Sequence, residues 1–245
     1  MNTGEIYDVQ IEKLSSTGAG IARIDGFVVF VSNVCPQDKV KIKITKVNKN
    51  FANGEIVEIT EPSKYRVNQF CPMQKICGAC QIQFIDYDYQ LEIKREIVKD
   101  ALQKIGNIVI EIPKVIPSPD IKNYRHKIQY PISQTKNSKR ILAGYYKPST
   151  HEIVNIKYCP IQPEICDKII NFIRDNAQEL NISGYNEKNH TGILRHVVIR
   201  HSVKNQNCLV TFVLNGDLTT NINTLAQKLY DSFEQVIGVC VNVNT

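Results

Sequence analysis

Three cysteines fall within ten residues, at Cys71, Cys77 and Cys80, and a fourth, Cys159, shares with Cys71 a proline as its next neighbour. Thiols this close repel one another as thiolates and oxidise readily unless a metal holds them, so the pattern reads as a metal site. A structural zinc site more commonly shows two short Cys or His pairs. Three ligands in one loop closed by a remote fourth, with proline after a ligand cysteine, is the habit of iron-sulfur proteins, where a loop wraps a cluster wider than a single ion. The spacing favours a cluster and leaves zinc as the alternative. It is not the Cys-x3-Cys-x2-Cys of radical enzymes, which leave one iron open, so four protein ligands imply a closed site. Cys35, Cys166, Cys208 and Cys240 lie in apolar patterns and read as small buried hydrophobes. The alternative to a metal on the four is a pair of disulfides. The opening Met-Asn-Thr-Gly-Glu has no basic and apolar leader, and no stretch is long and uncharged enough to span a bilayer, so a cytoplasmic chain with reduced thiols is expected.

The second feature is charge. The formal net charge is +6, and it is concentrated: of 30 Lys and Arg, seven (Lys122, Arg125, Lys127, Lys136, Lys139, Arg140, Lys147) lie between Ile121 and His151 with no Asp or Glu among them, leaving 23 against 24 acidic residues elsewhere. A local cationic zone neutralises phosphates without making the whole surface adhesive. Tyr124, Tyr130, Tyr145, Tyr146, His126 and His151 are interleaved with it. Rings beside cations suit unstacked bases, so single-stranded or looped RNA fits better than duplex DNA.

The elements that position these residues fall into three parts: 1–62, 63–106 and 107–245. Residues 1–62 read as five short antiparallel strands, at 5–14, 19–24, 27–31, 39–47 and 53–60, with an Asp25-Gly26 hairpin turn between the second and third. In 39–47 the residues Val40, Ile42 and Ile44 alternate with Lys39, Lys41 and Lys43. Five such strands suggest a small closed barrel of the OB type, a common nucleic-acid platform. After the cysteine loop, Asp86 can cap a helix that carries Leu91, Val98, Leu102 and Ile105 along one stripe and stops at Gly106. Residues 108–123, with three prolines, read as a strand and then a loop. Strands are predicted at 124–133, 140–147, 152–156, 193–202, 207–215 and 236–243. Helices are predicted after Pro163 and at 221–233, which gives an α+β domain with a largely antiparallel sheet. Alternation along 124–133 would carry Arg125 and Lys127 outward on one face, and Arg195 and Arg200 would make the ends of 193–202 basic. The candidate RNA contacts are Lys41, Lys43, Arg125, Lys127, Lys136, Lys139, Arg140, Arg195 and Arg200.

No Gly-x-Gly-x-x-Gly, Walker loop, His-Glu-x-x-His or Gly-x-Ser-x-Gly occurs, so the residues themselves describe a binding assembly: a barrel, a metal-cysteine knot and a basic α+β domain. In that order, Cys-x5-Cys-Gly-Ala-Cys, Tyr124-Arg125-His126-Lys127, Gly144-Tyr145-Tyr146, His151-Glu152-Ile153-Val154, Cys159-Pro160-Ile161-Gln162 and Leu194-Arg195-His196-Val197-Val198-Ile199-Arg200 resemble the RNA uracil-5-methyltransferases. The resemblance covers essentially the whole chain. It implies an N-terminal TRAM domain over residues 1–62, a 4Fe-4S cluster on Cys71, Cys77, Cys80 and Cys159, S-adenosylmethionine as methyl donor, and RNA as partner. The preferred RNA is 23S ribosomal RNA, with a tRNA-directed member as the alternative, and the protein is expected to be a monomer. In that family a cysteine adds to C6 of an extruded uracil, C5 takes the methyl group, and a glutamate is implicated in removing the C5 proton. That chemistry lies in a C-terminal domain whose Gln-x-Asn and Asp-Pro-Pro-Arg motifs have no counterpart here. The expectation is therefore the RNA-recognition portion of such an enzyme, without catalytic residues and inactive alone. The rivals are a stand-alone RNA-binding module and a zinc-containing binding protein.

Overall fold

The computed structural model describes residues 1–245, which divide into two compact units. The first comprises residues 1–72 and 80–119, and the second residues 73–79 and 120–245.

In the first unit β1 (Ile6–Gln10), β2 (Lys13–Leu14), β3 (Gly20–Ile24), β4 (Phe27–Val31), β5 (Lys39–Val47) and β6 (Phe51–Glu61) form one sheet in the order β1-β5-β6-β4-β3-β2. Six strands replace the five expected, because the chain changes partners near its start. β1 pairs with β5, Ile11 N–H then turns to Asp38 O at 2.9 Å, and Glu12 N–H joins Ile21 O at 2.9 Å, so β2 pairs with β3. The β4–β6 pair is parallel, which corrects the all-antiparallel expectation, and no ladder joins the edge strands β1 and β2. The Asp25-Gly26 turn has positive φ at both residues, 50° and 81°, the conformation that matches strand twist in a two-residue hairpin. Val40, Ile42 and Ile44 are buried with Val29, Val31 and Ala52, while the lysines of β5 face away.

Asp86 caps α1 (Tyr87–Lys104) by accepting from Tyr89 N–H at 3.2 Å. The expected apolar stripe is not the one used: Val98 and Ile105 are exposed, and Ile93 is buried with Tyr89 and Ile97 beside it. Spacing of four residues puts 89, 93 and 97 on one face, and that face meets Leu14, Cys35, Phe84 and Ile85. Residues 107–119 form no strand, correcting the strand expected after Ile108. Val109 and Ile116 stay exposed, and prolines at 113, 117 and 119 remove the donors a ladder would need.

In the second unit β7 (Lys127–Gln134), β8 (Ile141–Tyr146), β9 (Ile153–Asn155), β10 (Leu194–His201), β11 (Cys208–Leu214) and β12 (Val236–Val243) form a sheet of order β12-β11-β10-β7-β8-β9. Only the β11–β12 pair is parallel. Helices α2 (Glu164–Glu179) and α3 (Thr220–Ser232) cover one face, burying Ile169, Ile170, Ile173, Leu225 and Leu229 against Ile128, Tyr130, Val197, Val210 and Phe212. The opposite face carries Lys127, Gln129, Val198, Arg200, Leu209 and Thr211. No helix is long and apolar enough to cross a membrane.

Candidate nucleic-acid interface

The predicted cations do not form one patch. Lys127 and Arg200 are exposed and directly opposite in the β7–β10 register. Like charges facing each other across strands are unfavourable unless an anion sits between them, and neither has a carboxylate partner. Arg125 is not beside Lys127 as the alternation predicted, because β7 begins only at Lys127. Its N–H donates to Ile161 O at 2.8 Å and its guanidinium lies 5.2 Å from the centroid of Tyr145. Lys136, Lys139 and Arg140 are exposed on the β7–β8 turn, which Thr135 closes by accepting from Arg140 N–H and bonding Ser138. Arg195 sits at a bulge in β10, away from Arg200. In the first unit Lys41 stands opposite Asp8 and Glu58, and Lys43 opposite Glu55, so their charge is locally balanced.

Arg195 belongs to a cavity of about 980 Å3 in the second unit. Its guanidinium lies 4.6 Å from the Tyr185 ring centroid, Nη1 donates to Asn244 O, and Nε has no partner. A second flat pair lines the same space: Tyr146 and His151, with centroids 5.1 Å apart and planes within 20°. Both acids at the cavity are already engaged, Glu152 with Lys147 and Glu187 with His151, each at 2.7 Å. Lys136, Lys188 and Arg195 line it without a carboxylate partner, so the cavity is cationic as well as aromatic. Burial, and then Arg195, pull the pKa of His196 down, which keeps the imidazole neutral. The loop presenting Tyr185 is held by bonds from Tyr185 N–H to Leu194 O and from Asn186 N–H to Thr191 O, and by the Asn215 amide reaching Gly192 O and His190 O. The sequence reading missed Tyr185 and Lys188. Their only signal was a polar stretch, Tyr185 to His190, next to Arg195, and such stretches usually mean loops.

The cysteine candidates are placed in both units. Cys71 is buried and Cys80 half-buried, and none of the eight cysteines is in a disulfide. In the second unit Cys77 and Cys159 both bear on Tyr145, whose pKa is pushed up to about 12 first by burial and then by the two thiols, against Arg125. The Cys77 loop is seated by Gly78, whose N–H donates to Tyr146 O at 2.9 Å; a Cβ on Gly78 would lie 2.8 Å from that oxygen. Cys159 is held by its N–H, which donates to the Asp167 carboxylate at 3.2 and 3.3 Å. Asp167, raised to about 6 by burial, also accepts from Gln162 Nε2 at 2.7 Å. Gln162 Oε1 in turn accepts from the Tyr130 and Tyr145 hydroxyls at 3.1 and 3.4 Å. No three His, Cys, Asp or Glu side chains are drawn together as a single metal ion requires.

A family model described as TRAM domain matches residues 2–57. A curated protein of Clostridium tetani named an RNA methyltransferase is 35% identical over 98% of this chain, which covers 52% of that protein. One from Halalkalibacterium halodurans is 34% identical over 100% of the chain, covering 53% of its own length, and one from Gloeobacter violaceus is 36% identical over 99%, also covering 53%. Residues 2–57 thus match a TRAM domain, and the chain as a whole is similar to about half of each of these proteins named RNA methyltransferases. The chain spans about half the length of the curated relatives it matches. Its fold is also that of the Pyrococcus abyssi tRNA (uracil-54, C5)-methyltransferase solved in complex with S-adenosyl-L-homocysteine, with TM-score 0.64 and 24% identity over 89% of this chain and 48% of that one.

The expectation that the chain lacks the catalytic domain and is inactive alone is corrected by these alignments. Proteins named RNA methyltransferases align along 98 to 100% of it, and a methyltransferase solved with a bound donor product aligns over 89%.

Proposed function

We propose that this chain recognises folded RNA in an S-adenosylmethionine-dependent RNA uracil-C5 methyltransferase, with 23S ribosomal RNA as its substrate. The observation that carries the reading is the second unit's cavity, where two flat side-chain pairs accompany three cations lacking acid partners. Stacking surfaces take unstacked bases of any identity, and the surplus charge draws phosphates. Lys127 with Arg200, and Lys136 with Lys139 on the β7–β8 turn, extend that charge along the same unit. The uracil-C5 reaction follows the motifs quoted above and the names of the relatives.

The reading includes a 4Fe-4S cluster on Cys71, Cys77, Cys80 and Cys159. The donor set fits: it is all sulfur, no member is oxidised to a disulfide, and Cys159 and Cys77 are each fixed by backbone hydrogen bonds. Such a cluster has no open iron and braces the chain.

The test incubates the protein with tritium-labelled S-adenosylmethionine and RNA from a strain lacking its gene. Label recovered as 5-methyluridine in 23S ribosomal RNA is expected. Label in tRNA alone would move the substrate, and label in no RNA would overturn the reading. Anaerobically purified protein should be coloured and contain iron and sulfide; colourless protein with zinc alone would replace the cluster.

A further inference from the structure

Arg174, on the face of α2 that packs against the sheet, is only 4% exposed and forms no ion pair. One terminal nitrogen donates to Ile156 O at 2.6 Å, Nε has no partner, and no carboxylate forms an ion pair with it. A guanidinium does not shed its proton to escape such a site. It adjoins a cavity of about 250 Å3 lined by Arg140, Lys157, Asn171, Arg174, Asp175 and Gln178. Three cations thus meet one carboxylate, and neither Arg140 nor Lys157 has an ion-pair partner elsewhere. Burial above all disfavours the charge of Arg174, while Asp175 supports it and Arg140 opposes it. The rim is fixed, since Asn171 Nδ2 donates to Lys157 O at 2.9 Å. The two amides of the lining add neutral donors. A buried cation with no ion pair, on a cavity where three cations outnumber the single carboxylate of Asp175, gains from the entry of an anion.

We propose that this cavity is a phosphate subsite, with Arg174 as its floor and Arg140 and Lys157 as its rim, filled by a backbone phosphodiester of the bound RNA. The anion chemistry stands on the cavity alone; its source in RNA rests on the function proposed above. A purely structural Arg174, holding the Ile156 carbonyl, would need neither rim residue.

Arg140→Ala/Lys157→Ala is the informative variant, because both residues are exposed and their loss leaves Arg174 in place. Two readouts use purified protein: the thermal midpoint in inorganic phosphate against chloride at equal ionic strength, and the salt dependence of affinity for a fluorescent single-stranded RNA. Phosphate should stabilise the wild type and leave the variant unmoved. RNA affinity should fall about tenfold, with the logarithmic salt slope reduced by about 0.7, the share of the one phosphate the site neutralises. A phosphate response that is equal in both proteins, or absent from both, overturns the subsite. A phosphate response lost in the variant, with an unchanged RNA slope, overturns the RNA source and leaves a site for free phosphate. If wild type binds no RNA yet shows the site-dependent phosphate response, the RNA reading fails while the subsite stands.

Discussion

Gln162→Leu should loosen the corner that holds Cys159, and its cost can be worked from the network. Gln162 is fully buried; its Nε2 donates to Asp167 at 2.7 Å and its Oε1 accepts from the Tyr130 hydroxyl at 3.1 Å. The 3.4 Å bond from Tyr145, a partly exposed residue, counts for little. Leucine leaves a buried hydroxyl and a buried carboxylate each short of a partner, at roughly 1–3 kcal/mol apiece, so about 4 kcal/mol together. Apolar burial of the new side chain returns about 1 kcal/mol, leaving a net loss near ~3 kcal/mol. For a domain of this size that is a fall in the thermal midpoint of roughly 6–12 °C. Adding Tyr130→Phe removes the stranded hydroxyl, so the double variant should lose about 1 kcal/mol less than the two single losses combined. Calorimetry on wild type, both singles and the double completes the cycle. A midpoint shift below about 2 °C for Gln162→Leu, or strict additivity, would refute the network's role.

Three further outcomes follow from the site. Tyr185→Ala should weaken single-stranded RNA binding about tenfold by removing a stacking surface while leaving the salt slope nearly unchanged, whereas Lys136→Ala should lower the slope by about one; anisotropy titrations from low to moderate salt separate them. Lys127→Gln/Arg200→Gln should act in opposite senses, stabilising the free protein by about 0.2–1 kcal/mol in thermal melts through relief of like-charge repulsion and weakening its RNA complex. His196, whose folded pKa is depressed, binds its proton less readily folded than unfolded, so its contribution is full above the unfolded value of about 6.5 and is lost as pH falls from there through the lower folded value. Chemical denaturation at pH 7.5 and 5.5 should therefore show a smaller loss on acidification in His196→Gln than in wild type.

Much of the fold was legible locally. Helix α1 follows from Asp86 as a cap, the β3–β4 hairpin from Asp25-Gly26, and the buried face of β5 from strict alternation of Val40, Ile42 and Ile44 with lysines. These are short-range signals, set by dihedral preference and by the period of a strand or helix. The failures are long-range. Whether Glu5–Leu14 is one strand or two depended on β5 and β3 competing for it, and whether the start of 108–123 became a strand depended on a partner that never arrived.

The same division runs through the site. Spacing alone singled out Cys71, Cys77, Cys80 and Cys159, and composition alone located the cationic zone, because chemical types and local density are written in the chain itself. Only the tertiary structure decided which charges remain unspent. Lys41 and Lys43 gained acids across their ladders, Glu152 and Glu187 were taken up by Lys147 and His151, and Arg174, unremarkable in the sequence, was buried without an ion pair. Pairing of charges is a property of neighbours in space, and strands brought together from residues tens of positions apart set those neighbours.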